Sequence, residues 1–234
     1  RKRQAEKIVQ SFKSVFGART ILDYGCGQGM FTAFLLSKGF DAYGCDISST
    51  NVVEELKPNR FIALPGPWQC PNNLTSTSLV ALLDVLEHNE DPHELIELFK
   101  NKGIKDLLIK VPTVFGPIAI IAKVFTKIGK PDLLQKLLLV GENVPHFYFY
   151  SSAGLSRLLA QSGYELCRTV RIADAGKELP KRMRDCSSSG KLLRILILTA
   201  FGWILEAISP VWSDTAVYHF RLKEIGKRSR EIIK

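Results

Sequence analysis

Three side chains of metal-binding type stand close together near the middle of the chain. Asp84, Glu87 and His88 occupy positions i, i+3 and i+4 directly after an apolar run. One turn of chain brings such positions to one side, and two carboxylates with an imidazole form a ligand set for Mg²⁺, Mn²⁺, Co²⁺ or Zn²⁺. His146, just before a predicted helix, is a fourth candidate. We expect these four side chains to converge on one divalent ion.

The same residues also have an ordinary structural interpretation. Glu87 and His88 can hydrogen-bond to backbone and shape a pocket without a metal, and His146 can cap the following helix. In that case the acceptor needs another base, and His93 and His219 are the remaining histidines. The sequence leaves the metal-bound and the metal-free interpretations open.

Glycines at alternate positions follow the first predicted strand. The strand covers residues 21–24, then come Gly25, Gly27 and Gly29, and an apolar helical pattern begins. Backbone without Cβ atoms can approach a ligand closely beside a helix N-terminus. Asp46 ends the second predicted strand, where a carboxylate can accept both hydroxyls of a ribose. This arrangement predicts a nucleoside cofactor.

The rest of the chain alternates between helix and strand, as a parallel sheet requires. The length is that of one domain, which we place at residues 1–234. The predicted strands are 21–24, 41–45, 61–64, 79–83, 107–111, 164–172 and 215–222, and the predicted helices are 3–16, 30–36, 92–100 and 151–162.

Two segments lie outside this alternation. Residues 113–145 hold two apolar amphipathic pieces dotted with lysines, and we interpret them either as a lid for substrate or as a helical excursion packed on the sheet. Residues 179–213 contain an apolar run that is too short to span a bilayer. With basic flanks and with Trp203 and Trp212 as anchors, that run predicts a helix or a hairpin at an anionic membrane surface. A core helix or a homodimer interface is the alternative.

The charge and the cysteines narrow the class of protein further. A net charge of +9 favours anionic partners such as nucleic acid, lipid headgroups or a phosphorylated substrate. Five cysteines without a C-x-x-C pair indicate a reducing compartment. The N-terminus lacks the apolar core of a signal peptide. We expect a cytoplasmic location with membrane association.

The motifs together resemble those of the class I S-adenosylmethionine-dependent methyltransferases. Asp23 stands two residues before the glycines, Gly-Cys-Asp ends at Asp46, and Leu-Asp-Val-Leu-Glu-His ends at His88. The resemblance implies a Rossmann-like α/β sheet, mostly parallel with an antiparallel last strand, with helices on both faces and two helical inserts. It also implies S-adenosyl-L-methionine as cofactor. The residues that it places against the cofactor are Asp23, Gly25, Cys26, Gly27, Asp46, Ile47 and Leu83.

A closer resemblance concerns the acceptor side. The chain has Leu-Glu-His at 86–88, then Asp-Pro, and later a His-x-x-x-Tyr-Ser stretch. This order of motifs resembles the ubiquinone-pathway O-methyltransferases, whose methyltransferase domains are of type 11, 12 or 23. Those enzymes act on polyprenylated phenols and bind membranes. The same arrangement occurs in small-RNA 2′-O-methyltransferases, where it holds Mg²⁺ or Mn²⁺. Carried over, Asp84, Glu87, His88 and His146 are metal ligands, and both histidines are catalytic. Asp84 departs from the glutamate usual there, and Trp68 stands near the place of an adenine-marking acid.

We therefore expect a methyltransferase that O-methylates a small, lipid-linked or glycan-type acceptor with the help of Mg²⁺ or Mn²⁺. An RNA 2′-O-methyltransferase is the second hypothesis, which the positive charge supports, although no RNA-binding module is recognisable. A non-catalytic cofactor-binding scaffold is the third. The intact glycine loop and Asp46 argue against that scaffold.

Overall fold

The computed structural model contains one seven-stranded sheet with strand order β3-β2-β1-β4-β5-β7-β6. Strand β7 runs antiparallel to both of its neighbours, and the other pairings are parallel. The expected Rossmann-like sheet with an antiparallel last strand is confirmed. The strands are β1 Ile21–Tyr24, β2 Ala42–Asp46, β3 Phe61–Ala63, β4 Leu79–Leu83, β5 Asp106–Pro112, β6 Tyr164–Ile172 and β7 Thr215–Leu222. The structure describes residues 2–17, 19–56, 59–66, 69–71, 79–138, 145–172, 200, 203–204, 207–208 and 210–223.

Helices cover both faces of this sheet. They are α1 Lys2–Ser11, α2 Lys13–Phe16, α3 Met30–Ser37, α4 Pro92–Asn101, α5 Pro117–Lys127, α6 Asp132–Leu137 and α7 Ser152–Gln161, with short 3₁₀ turns at Glu54–Leu56 and Leu86–His88. Helices α1 to α3 pack on one face, and α4 and α7 pack on the other. Side chains alternate between the faces along each strand. In β5, for example, Leu107 and Ile109 join the α4 side and Leu108 joins the α1 side.

The N-terminal helix differs from the single helix expected over 3–16. It breaks at Phe12, whose backbone angles of φ −118° and ψ 26° are not helical. The Phe12 ring is fully buried, meets His219 edge-on and lies under the Arg168 guanidinium. Packing of this ring against the distant strands β6 and β7 therefore overrides the local helical pattern.

The first insert leaves the sheet at Thr113 and returns at Tyr150. These two residues form an isolated parallel bridge, so the ends of the excursion are held together. Helix α5 begins beside Asp214, whose Oδ1 accepts the Ile118 N–H at 2.7 Å. A Cβ atom at Gly116 would overlap with Asp214, which explains the glycine at this close approach.

Most of the second insert, including most of the apolar run at 192–205, lies outside the described residues. Trp203, Ile204, Val211 and Trp212 are described and are exposed. In the part of the chain that the structure describes, no helix combines the length and the apolar character needed to cross a membrane.

Candidate active site

The loop after β1 is shaped for close approach of a ligand. Gly25 and Gly27 have φ of 70° and 55°, which side chains rarely adopt. A Cβ atom on Gly25 would lie 2.6 Å from Val85 Cγ2, whereas one on Gly27 would meet nothing within 4 Å. The loop therefore packs on the segment after β4 through Gly25 and leaves open space at Gly27.

Asp46 is fixed against the same loop. Its Oδ2 accepts the Gly27 N–H at 2.8 Å, and its Oδ1 accepts the Ser48 N–H at 2.9 Å. Carboxylate oxygens have further lone pairs, so both can still accept bonds from a ligand. Ile47 follows with a 63 % exposed side chain. The two residues present a carboxylate and an apolar surface side by side, an arrangement that fits a ribose and a base.

A cavity of about 550 Å³ opens beside the loop, between α1, α3 and the ends of β1 and β4. Five of the residues predicted to face the cofactor line it, namely Asp23, Gly25, Cys26, Gly27 and Leu83. Asp46 joins them through its bond to Gly27. Trp68, which stands near the place of the usual adenine-marking acid, lies outside the described residues.

Two titratable groups line this cavity, the buried Asp23 and the partly buried Cys26. Burial raises the pKa of Asp23 to about 7, although a hydrogen bond donated by the Thr32 hydroxyl at 2.8 Å lowers it. Burial thus favours the neutral form of the Asp23 carboxyl. Burial and the neighbouring carboxylates also raise the pKa of the Cys26 thiol, which favours the thiol over the thiolate.

Asp84 does not join the expected metal-ligand group. Its carboxylate pairs with the Lys110 ammonium at 2.5 Å, and its N–H donates to the Lys110 carbonyl. The sheet register causes this, because Leu83 at the end of β4 lies opposite Lys110 in β5. Asp84 also has a left-handed backbone with φ of 59°. Asp84 is therefore outside the group of candidate ligands that the structure brings together, and its role as a metal ligand stays a prediction.

The other three candidates do come together. One donor atom from each of Glu87, His88 and His146 lies within 4.8 Å of the others, and the two imidazole centroids are 4.6 Å apart. Glu87 is buried, and both histidines are partly buried. A carboxylate with two imidazoles is a donor set for a divalent transition metal or for Mg²⁺ and Mn²⁺ with additional oxygen ligands.

Backbone hydrogen bonds hold the two parts of this cluster together. The carbonyl of Glu87 accepts the N–H groups of Phe147 and Tyr148 at 2.8 and 3.3 Å. The His88 Nδ1 lies 2.9 Å from the Pro145 carbonyl oxygen. A carbonyl only accepts, so Nδ1 carries the proton and the lone pair of neutral His88 is on Nε2. This second contact orients His88 as it does in many metal sites.

The remaining histidines lie elsewhere. His219 contacts Asp106 at 2.7 Å near the amino end of β5, in a network with Arg19 and Arg221. His93 lies on α4, 3.9 Å from Glu97. Neither is among the described residues that line the first cavity, so the structure does not place these alternative bases beside the glycine loop.

Sequence reasoning overlooked Lys110 and the contribution of α1. Lys110 lines the cavity with a side chain that is only 6 % exposed. A lone lysine inside the apolar run of β5 was the available signal, since a buried strand rarely contains a charge without a partner. Lys2 and Gln4 of α1 also line the cavity. No sequence signal pointed to them.

Comparisons with known proteins identify the family of this chain. A family model described as a methyltransferase domain matches residues 1–169. No curated protein sequence matches the chain significantly. Several solved structures are similar to this chain, and at identities of 13–17 % they show the fold alone. One is magnesium protoporphyrin IX methyltransferase from Synechocystis PCC 6803 with bound SAH, with 17 % identity over 95 % of this chain and 83 % of that chain and a TM-score of 0.56. A second is 1,6-didemethyltoxoflavin-N1-methyltransferase from Burkholderia thailandensis, with 13 % identity over 95 % of this chain and 78 % of that chain and a TM-score of 0.56. A third is small RNA methyltransferase HEN1, with 15 % identity over 95 % of this chain and 26 % of that chain and a TM-score of 0.57.

Proposed function

We propose that this chain, which belongs to the methyltransferase domain family and is an S-adenosylmethionine-dependent methyltransferase, O-methylates a small lipid-linked or glycan-type acceptor at an anionic membrane surface. The observation that carries the proposal is the cluster of Glu87, His88 and His146 just beyond β4. A hydroxyl acceptor must lose a proton during transfer, and imidazoles beside a carboxylate are suited to that task. An acceptor that is already nucleophilic has no need of such a cluster.

The residues of the first cavity fit the cofactor. We assign the ribose hydroxyls of the cofactor to Asp46, and we expect the cofactor to approach the backbone of Gly27 closely. Its amino-acid end is assigned to the region between Asp23, Leu83 and α1. S-adenosylmethionine supplies an electrophilic methyl group on a sulfonium. The protein's task is mainly to position the acceptor in line with that group and to exclude water.

The cluster also fits a divalent cation. Glu87, Nε2 of His88 and His146 would hold Mg²⁺ or Mn²⁺, and the orientation of His88 by Pro145 supports this assignment. Such an ion stabilises the negative charge that develops on an acceptor oxygen. Without a metal, Nε2 of His88 carries the lone pair that accepts the proton, and Glu87 stabilises the resulting imidazolium. His88 and His146 are the catalytic residues in both cases.

Methyl transfer from labelled cofactor to lipid, small-molecule and RNA fractions tests the proposal. We expect the labelled methyl group to appear in the lipid fraction. The label should resist treatment with base, because the product of O-methylation at a hydroxyl is an ether. His88→Gln and His146→Gln should each reduce it about 100-fold or more, while His93→Gln on α4 serves as the matched control. Equal loss in all three variants, or no loss in either cluster variant, contradicts the role of the cluster.

Metal use is tested separately from activity. Titration of Mn²⁺ followed by electron paramagnetic resonance should show binding to the wild type and not to His146→Gln. If Mn²⁺ does not bind and a chelator leaves transfer unchanged, the metal-free mechanism stands.

An RNA 2′-O-methyltransferase is the second candidate. The net charge of +9 favours it, and HEN1 is among the similar structures. Labelling in the RNA fraction that ribonuclease removes, without labelling of lipid, would decide for it.

A further inference from the structure

Helix α5 presents its larger apolar side chains to solvent. Ile120, Val124 and Ile128 recur every fourth residue and are 37, 53 and 65 % exposed. The helix side that faces the protein carries smaller residues, among them Pro117, Ala119 and Ala122. A helix that serves only as packing would bury the large side chains instead. This exposed stripe, with Phe125 beside it, is named here the α5 face.

A second exposed apolar segment adjoins the α5 face. The Trp212 indole N–H donates to the Phe115 carbonyl at 2.5 Å, which places residues 211–212 next to the start of α5. Phe115 and Val211 are 65 and 78 % exposed, and Trp212 is itself half exposed. Together these side chains extend the α5 face well beyond a single helix. Contiguous exposed patches of this kind mark interaction sites.

Positive charge accompanies this apolar surface. Residues 113–131 contain Lys123, Lys127 and Lys130 and no acidic residue. Lys123 donates to the Val114 carbonyl at 2.9 Å and lies 5.8 Å from the centre of the Phe115 ring. Apolar and aromatic side chains interleaved with lysines are typical of surfaces that lie in the headgroup region of an anionic bilayer.

A second cavity, of about 470 Å³, opens beneath this surface at the carboxyl end of β5. Phe115 and Trp212 form part of its wall, so it adjoins the α5 face. Lys7 and Arg171 contribute two positive charges to its lining, and none of the described lining residues is acidic. The nearby Asp214 binds the N–H of Ile118. Hydroxyl groups complete the polar part of the lining. Those of Thr113, Tyr150 and Ser213 donate to backbone carbonyls of the protein itself. The remaining lining hydroxyls are those of Ser151, Ser152, Thr169 and Tyr218.

We infer that the second cavity and the α5 face form one binding site for an anionic lipid. The phosphate headgroup lies in the cavity against Lys7, Arg171 and the remaining hydroxyls, and the apolar chain lies along the α5 face. Two cations with hydroxyl donors and no acid suit a phosphate, because phosphate oxygens accept several hydrogen bonds. This inference rests on the proposed function and deepens it, since it assigns a phosphate-bearing lipid as the acceptor class or its carrier.

Vesicle sedimentation of the full chain tests the inference. Vesicles of phosphatidylcholine alone are compared with vesicles that contain about 30 % phosphatidylglycerol, at low and at high salt. We expect the chain to bind the anionic vesicles, and less so at high salt. Val124→Asp with Ile128→Asp should weaken the partition about tenfold or more, because a carboxylate must then enter the interface. Leu166→Asp, at an exposed apolar residue of β6, is the matched control.

The cavity is tested with a charge-neutralising pair. Lys7→Gln with Arg171→Gln should weaken binding to anionic vesicles about fivefold per charge removed. Lys13→Gln with Lys102→Gln removes the same charge from exposed sites that precede β1 and β5, and should have a smaller effect. Equal effects of the two pairs overturn the assignment of the cavity, because they indicate net charge alone. Binding to neutral vesicles as strong as to anionic ones overturns it as well.

Two other occupants give different results. If light scattering shows a dimer that Val124→Asp converts to a monomer, and no vesicles bind, a second copy of the chain covers the face and the inference is wrong. If inorganic phosphate raises the melting temperature of the wild type but not of the Lys7/Arg171 variant, again without vesicle binding, the ligand is a soluble phosphate compound. Calorimetry with S-adenosylhomocysteine on each variant separates these outcomes from failure of the cofactor site.

Discussion

The ion pair between Asp84 and Lys110 predicts an asymmetric response to mutation. The Lys110 side chain is 6 % exposed, whereas that of Asp84 is 50 % exposed. Asp84→Asn keeps the shape and tolerates the left-handed backbone but removes the charge opposite a buried ammonium. Breaking a fully buried pair costs about 3–5 kcal/mol, and the exposure of Asp84 reduces this to about 2 kcal/mol of unfolding free energy. Lys110→Met leaves a carboxylate that water can solvate, so we expect a cost of about 1 kcal/mol or less.

Urea unfolding followed by circular dichroism measures both variants. With a slope of about 3 kcal/mol per molar urea, Asp84→Asn should lower the midpoint by about 0.7 M, and Lys110→Met by about 0.3 M or less. The double variant should resemble Lys110→Met, because the buried charge is gone in both. Equal shifts for the two single variants would refute the argument from burial. A loss of Mn²⁺ binding in Asp84→Asn would restore Asp84 as a metal ligand.

Three further predictions concern the cofactor, the cluster and pH. Calorimetry should show that the wild type binds S-adenosylhomocysteine with a free energy on the order of −8 kcal/mol. The Asp46→Ala variant should bind it about tenfold more weakly or worse. Undiminished affinity in this variant removes Asp46 from the site. His146→Gln should lower kcat while the affinity for S-adenosylhomocysteine stays the same, whereas loss of both indicates a structural defect. The pKa of Asp23 rises from the ordinary value of 3.8 to about 7 in the folded protein. The folded state therefore binds this proton more tightly, and the free energy of unfolding falls as the pH rises from about 4 to about 7. Asp23→Asn should flatten this dependence in urea titrations, and an unchanged slope would contradict the assignment.

The sequence predicted the parts of this fold that local patterns encode. The residues of β4, β6 and β7 were placed correctly because local signals mark them. Strand β4 is an apolar run that ends before Asp84, whereas β6 and β7 alternate partly in polarity after Gly163 and Asp214. The break at Phe12 was missed because it depends on packing against β6 and β7, more than 150 residues away. The pairing of Asp84 with Lys110 was missed for a similar reason. It follows from the register between two strands, which no pattern within either strand specifies.

The cluster of Glu87, His88 and His146 is a different case. Residues 87 and 146 are far apart in sequence, and their proximity was expected from the family resemblance and not from spacing. The structure supplies the physical reason, since the segment 145–150 forms backbone hydrogen bonds to the turn at Leu86–His88. Tyr150 strengthens this contact with a bond from its hydroxyl to the Leu86 carbonyl. These bonds hold the segment that follows the first insert against the turn after β4, and His146 lies at that place for this reason.

The first insert therefore connects the two sites through continuous chain. It leaves β5 at Thr113, forms the α5 face, and returns through His146 to Tyr150, which lines the second cavity. Helix α1 forms a second connection, because Ala5 and Ile8 line the first cavity and Lys7 lines the second. His146 is connected to this insert through its N–H, which donates to the carbonyl of Leu138 after α6. If the two sites act as proposed, the α5 face and the candidate cluster of Glu87, His88 and His146 are therefore joined by one stretch of backbone, through which binding at one site can influence the other.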